Sequence, residues 1–151
     1  MHITKSNINE FIEGTTMDCS NEGITHIEYI PDGITSLWCE NNKLTELPKL
    51  PESLISLYCY SNKLTELPKL PDSLEYLWCE LNKLTELPKL PESLEYLSCY
   101  SNKLTELPKL PEGLTDLDCG GNQLPYIVTI KNLKQHNTLL KRKLILSKIC
   151  G

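Results

Sequence analysis

The sequence predicts a single solenoid of α/β type, with short parallel strands on a concave face and an extended, proline-rich return on the convex side. Three observations carry this. The segment Asn-Lys-Leu-Thr-Glu-Leu-Pro-Lys-Leu-Pro recurs unchanged at 42–51, 62–71, 82–91 and 102–111. Equivalent residues are 20 apart throughout. Within each unit the apolar positions follow two rhythms, one suited to a strand and one to an extended return. Self-similarity at a fixed period marks a repeat architecture, in which only stacked copies bury a continuous core.

The elements follow in chain order. Residues 1–13 form an N-terminal cap, short and helical or irregular, with Ile8, Phe11 and Ile12 as its apolar contacts. The repeats occupy 14–131. Met17, Cys19, Ile24, Ile27, Ile30 and Pro31 make a weaker first copy, in which Glu22 replaces the recurring Asn. Leu37-Trp38-Cys39 and its equivalents alternate in-out-in, so each unit makes a short strand with Leu and Cys inward. Parallel strands stack about 4.8 Å apart. Leu44, Leu47 and Leu50 are spaced by three, which suits an extended or polyproline-like back, where Pro48 and Pro51 need no ladder donor. Twenty residues leave no room for a full convex helix. Leu114, Leu117, Cys119, Asn122, Leu124, Ile127 and Ile130 keep the phases of a last, degenerate copy.

Residues 132–151 predict a basic C-terminal capping helix. Asn132 with Gln135 fits an N-cap and its third-position partner. Leu133, Leu140 and Leu144 form one stripe, with Leu139, Leu146 and Cys150 beside it, and Lys134, Lys141 and Lys148 line another.

The unit L-x-x-L-x-C-x-x-N-x-L-T-x-L-P-x-L-P, as it runs from Ile34 to Pro51, resembles the leucine-rich repeat in its shortest form. It is similar to the repeats of secreted bacterial effectors of the outer-protein and invasion-antigen types. It is at least as similar to the Cys-containing repeats of giant DNA viruses of amoebae. The resemblance covers 14–131 and implies short strands, an Asn turn and an extended Pro-rich return. Some effectors with such repeats carry a C-terminal ubiquitin-ligase domain with a catalytic Cys. About 20 residues follow the last coil here, too few for a domain.

Other chemistry is poorly supported. Cys19, Cys39, Cys59, Cys79, Cys99 and Cys119 stand at 20-residue intervals. In-register stacking sets neighbouring Cβ atoms near 4.8 Å, beyond the roughly 3.5–4.5 Å of a disulfide. No spacing fits a zinc site. Buried free thiols in a reducing compartment fit better. Asn42, Asn62, Asn82, Asn102 and Asn122 read as turn residues satisfying backbone groups. Lys43, Lys63, Lys83 and Lys103 beside Glu46, Glu66, Glu86 and Glu106 read as a solvated back, with pairing across the columns offsetting repulsion within them. His2, His26 and His136 are scattered, and Cys150 has no shell to activate it. No catalytic residue, cofactor or metal is expected.

Charge divides the chain unevenly. All 20 acidic residues lie at or before Asp118. After Tyr126 come Lys131, Lys134, Lys141, Arg142, Lys143 and Lys148 with no acid. The tail is therefore +6, and the body, with nine cations against 20 acids, is −11. No apolar run approaches the roughly 20 residues of a membrane span, and Met1 to Lys5 opens no signal peptide. A cytoplasmic protein is expected, in a host cytoplasm if the source is a virus.

The strand face is where the repeats cease to be identical. One outward column reads Ser36, Ser56, Tyr76, Tyr96, Asp116. The next reads Trp38, Tyr58, Trp78, Ser98, Asp118, and the third Glu40, Tyr60, Glu80, Tyr100, Gly120. Exposed Trp and Tyr compose binding hot spots. Aromatics also stack merely to stabilise a sheet, but stacking needs no interleaved Glu. The expected partner is a protein, bound through Trp38, Glu40, Tyr58, Tyr60, Tyr76, Trp78, Glu80, Tyr96, Tyr100, Asp116 and Asp118, with acids favouring a basic peptide or surface. The alternative is an adaptor that contacts nucleic acid or acidic membrane through its basic tail.

Overall fold

A computed structural model of the chain describes residues 1–150, the last for its backbone alone. The Cys150 side chain and Gly151, including the expected stripe position of that cysteine, lie outside the described residues.

Six three-residue strands stack in parallel: β3 (Thr16–Asp18), β5 (Ser36–Trp38), β6 (Ser56–Tyr58), β7 (Tyr76–Trp78), β8 (Tyr96–Ser98) and β9 (Asp116–Asp118). Each residue pairs with the one a full period later, as Leu37 does with Leu57 and Leu57 with Leu77. The alternation dictates which side chains enter the core. Leu37 and Cys39 are 0% exposed, while Trp38 between them is 40% exposed. The six column cysteines are all buried and unpaired. The Cys39 N–H donates to the Tyr58 carbonyl at 2.9 Å, which carries the pairing one residue beyond the strand.

At the N-terminal edge, β1 (His2–Ile3) pairs in parallel with β4 (His26–Ile27) in a separate two-stranded sheet. A 3₁₀ turn at Ile8–Phe11 leads into β2 (Ile12–Glu13), which lies antiparallel on β3 with Ile12 opposite Met17. Ile3 and Ile8 are buried, and Phe11 and Ile12 pack half-buried against the core. The first coil is thus covered by the chain's own hairpin.

The corner after each strand depends on one carboxamide. Asn42 Oδ1 accepts the Ile24 N–H at 2.8 Å. Its Nδ2 donates toward the carbonyls of Cys19, Cys39 and Glu40 at 2.8, 3.0 and 3.2 Å. Asn62, Asn82, Asn102 and Asn122 repeat this pattern. The residue before each Asn is left-handed: Asn41 at φ 54°, Ser61 at 54°, Leu81 at 55°, Ser101 at 53° and Gly121 at 64°. Gly and Asn tolerate that geometry, whereas Leu81 carries a strain on the order of 1 kcal/mol.

The return from residue 41 to residue 51 forms neither helix nor strand. A second ladder ties it down, with Ser53 Oγ donating to the Ile34 carbonyl at 2.8 Å, and Ser73 and Ser93 likewise to Leu54 and Leu74 at 2.7 Å. The expected pairing of the Lys43 and Glu46 columns does not occur. Among the described residues the one ion pair is Lys109–Glu92 at 2.9 Å. Fully solvated lysines and glutamates gain too little from water-screened attraction to fix their side chains.

The last coil departs from the expected phases. Ile127 is 82% exposed, and Val128 turns inward in its place. Here the prolines of the return are lost, and the chain rises early into the cap. Asn132 is not the N-cap of the helix either. It closes a 3₁₀ turn at Ile130–Asn132, where Oδ1 accepts the Thr129 N–H and Nδ2 donates to the Ile127 carbonyl, both at 2.8 Å.

Helix α1 (Leu133–Cys150) covers the solenoid through its first two turns only. Leu133 is buried and Leu140 half-buried. Buried His136 bridges Tyr126 Oη at 2.9 Å and the Pro108 carbonyl at 3.0 Å. Asn137 clasps both backbone groups of Leu110, at 2.8 and 2.7 Å. Leu144, expected on the core stripe, is 57% exposed because the helix has already left the coil.

Since stacked coils touch only their neighbours, removing residues 64–83 shortens the stack by one period, whereas removing 64–73 breaks its phase. Circular dichroism and thermal melts should show a folded protein for the first deletion and loss of the cooperative transition for the second.

Candidate functional site: an aromatic and acidic strand face

Three-residue strands in exact 20-residue register bring like positions into columns, so large side chains on the outer face must stack. Trp38 meets Tyr58 edge-on at 5.8 Å between ring centroids. Tyr58 lies flat on Trp78 at 4.2 Å, with 9° between their planes. Trp78 is flanked by Tyr96 at 4.6 Å and Tyr76 at 6.1 Å. One continuous aromatic ladder thus crosses four strands. The indole Nε1 of Trp38 donates to Ser36 Oγ at 3.0 Å, which holds the first ring in place. Ser98 keeps its place in this column beside Glu80 but is buried, because the larger groups around it cover its short side chain.

The third column alternates Glu40, Tyr60, Glu80 and Tyr100. Burial pushes the Glu40 carboxyl above its ordinary value, and the Asp18 charge adds to this. Burial likewise raises Glu80, with the Ser98 hydroxyl working against it and Asp118 with it. Oε2 of each glutamate is shut off from water and has no hydrogen-bond partner. Tyr60 stands between the two acids in this column, and burial, then the Glu40 and Glu80 charges, push its phenol up. Tyr100 leans over Gly120, where an added Cβ would come within 3.3 Å of its ring.

Asp116 and Asp118 stand exposed at the C-terminal end of the face. The face also extends past the residues expected from sequence. At its N-terminal end an open hollow of about 410 Å³ is lined by Glu10, Phe11, Glu13, Thr16, Asp18 and Trp38. This contribution from the cap hairpin was not legible, because nothing in the sequence states that 10–13 fold back onto β3.

The inward cysteines offer no nucleophile to this surface. Burial, then the Asp18 and Glu40 charges, push the Cys19 thiol up to about 12. Cys39, Cys59, Cys79 and Cys99 are also raised, burial first.

The fold is similar to that of solved structures of bacterial effector proteins. The leucine-rich-repeat domain of a Shigella effector is 36% identical with a TM-score of 0.77, over 82% of this chain and 57% of that one. YopM from Yersinia enterocolitica is 38% identical with a TM-score of 0.71, over 74% of this chain and 26% of its own. YopM from Yersinia pestis, a leucine-rich effector protein, is 36% identical with a TM-score of 0.69, over 77% and 34%. The chain is a leucine-rich-repeat solenoid of the short, bacterial-effector type. It spans 57% or less of the length of these chains. No family model matches the chain, and no curated protein matches it.

The raised glutamates set a pH dependence. A carboxyl whose folded pKa lies above its unfolded value contributes stability below the unfolded pKa and loses it as pH rises through the folded one. Glu40→Gln and Glu80→Gln should therefore raise the melting temperature at pH 7. Below about pH 4, where both states hold the proton, the gain should vanish. Thermal melts across pH 3–8 check this, and equal gains at both ends would contradict it.

Proposed function

We propose that the protein is a non-enzymatic interaction module whose strand face binds a protein segment rich in Arg or Lys. The single observation that carries this is the pair of unpartnered carboxylate oxygens, Glu40 Oε2 and Glu80 Oε2, set beside an uninterrupted aromatic ladder. A buried acceptor without a donor costs stability, and native proteins retain such groups where a ligand completes them. A guanidinium supplies what is missing, since its planar fork of N–H groups pairs with a carboxylate while its face lies on an indole or phenol. Asp18, Glu10 and Glu13 at one end and Asp116 and Asp118 at the other continue the negative field and steer a cationic partner along the face.

The effector-type neighbours support an interaction module, and the buried thiols, raised by burial, do not reach the face. No helix among the described residues is long and apolar enough to cross a membrane. The proposed setting is the cytoplasm of the producing cell or of its host.

Trp38 and Trp78 are the only tryptophans, and both stand on this face, so intrinsic fluorescence reads occupancy directly. Titration with an oligo-arginine peptide should shift their emission, whereas oligo-glutamate should not. Trp38→Ala with Trp78→Ala, followed by calorimetry, should cost about 2 kcal/mol per anchor with the fold intact. Reversing Lys63 and Lys83 on the back should change little. Undiminished binding by a folded double-Trp variant would place the site elsewhere.

A further inference from the structure

We infer that the outer half of α1 docks onto an anionic lipid surface. This does not rest on the strand-face reading. Leu133, His136 and Asn137 fasten the helix to the last two coils, but every residue from Lys141 to Ile149 is exposed. The helix is much longer than capping requires. At about 100° per residue, Leu139, Ile145, Leu146 and Ile149 gather on the arc opposite Leu133 and Leu140. That arc faces away from the solenoid, with Leu146 59% and Ile149 74% exposed. Lys141 and Lys148 flank it on one side and Lys143 on the other, with Arg142 inside it, and no acid follows Asp118 anywhere in the chain.

The charge pattern selects the occupant. A second copy packing helix on helix would bring like charges together with no acid to offset them. Nucleic acid would use the cations and leave four aliphatic side chains in water, with no aromatic ring on this segment to stack on bases. An anionic bilayer surface takes both sets. The aliphatic arc enters the boundary of headgroup and acyl chain, and the lysine stems run alongside it to carry their ammonium groups up to the phosphates. The remaining body, at −11, is repelled by the same surface. Adsorption is therefore one-sided, reversible and strongly salt-dependent, through the tip of the helix.

The test is flotation of the full chain with phosphatidylcholine vesicles, with and without phosphatidylserine. The parent should float with the phosphatidylserine vesicles only and release on added salt. Leu146→Asp with Ile149→Asp should weaken binding at least about tenfold, with an unchanged melting temperature because both side chains already lie in water. No flotation at low salt would overturn the inference, as would equal flotation on neutral vesicles or equal flotation by the double variant. So would transfer of the variant's defect to nucleic-acid binding or to concentration-dependent self-association in place of vesicle binding.

Discussion

A coil of 20 residues turns through corners too tight for its backbone to pair with itself, and one partly or fully buried carboxamide in every coil after the first resolves this. Asn82 shows the full pattern. Its Oδ1 takes the Leu64 N–H at 2.9 Å, and its Nδ2 reaches the carbonyls of Cys59, Cys79 and Glu80 at 3.0, 3.2 and 3.3 Å. Groups from two successive coils are thereby joined through one side chain. Left unpaired, each of these partly buried polar groups would cost on the order of 1–3 kcal/mol. The left-handed residue before each Asn aims the carboxamide inward, and the strands, leucines and cysteines take their phases from that corner.

This constraint explains where the molecule is free to vary. Inward positions are held by packing and the corners by the carboxamide, so differences between coils collect on the strand face. There the chain keeps two acids with an unpartnered oxygen and a band of stacked aromatic side chains. Leu81, strained and half in water, lies at the rim of the same face. The ends are handled differently. A hairpin seals the first coil, and at the other end His136 and Asn137 tie the helix to the backbone of Pro108 and Leu110.

Much of this was legible. The periods of 20, 2 and 3 in the apolar residues are the physical requirement of stacked coils, so fold, register, buried cysteines and turn asparagines could be read from Leu37, Cys39, Asn42 and their copies. The failures fall where repetition stops. Ile127 keeps a repeat phase in sequence, but without the prolines its segment no longer follows the return, and Val128 takes the core position. Leu144 lies on the same helical stripe as Leu133 and Leu140, yet a stripe states only which side faces inward and not how far the coil beneath it extends. His136, read as one of three scattered histidines, proved to be a latch, because its partners Tyr126 and Pro108 are set by tertiary packing. On the strand face, the columns were legible from alternation alone. The orphaned oxygens of Glu40 and Glu80 were not, since they arise from neighbouring large side chains that exclude water.

The dependence of the whole solenoid on the corner carboxamide is tested most directly at Asn82, in the middle of the stack. Asn82→Ala, compared with Lys83→Ala next to it, should be followed by denaturant unfolding and by hydrogen exchange at the Leu64 amide. Loss of about 2–4 kcal/mol in the Asn variant, with the Leu64 amide exchanging far faster and the Lys variant unchanged, is the expected result. Parent-like stability and Leu64 protection in the Asn variant would show that the coils hold together without it.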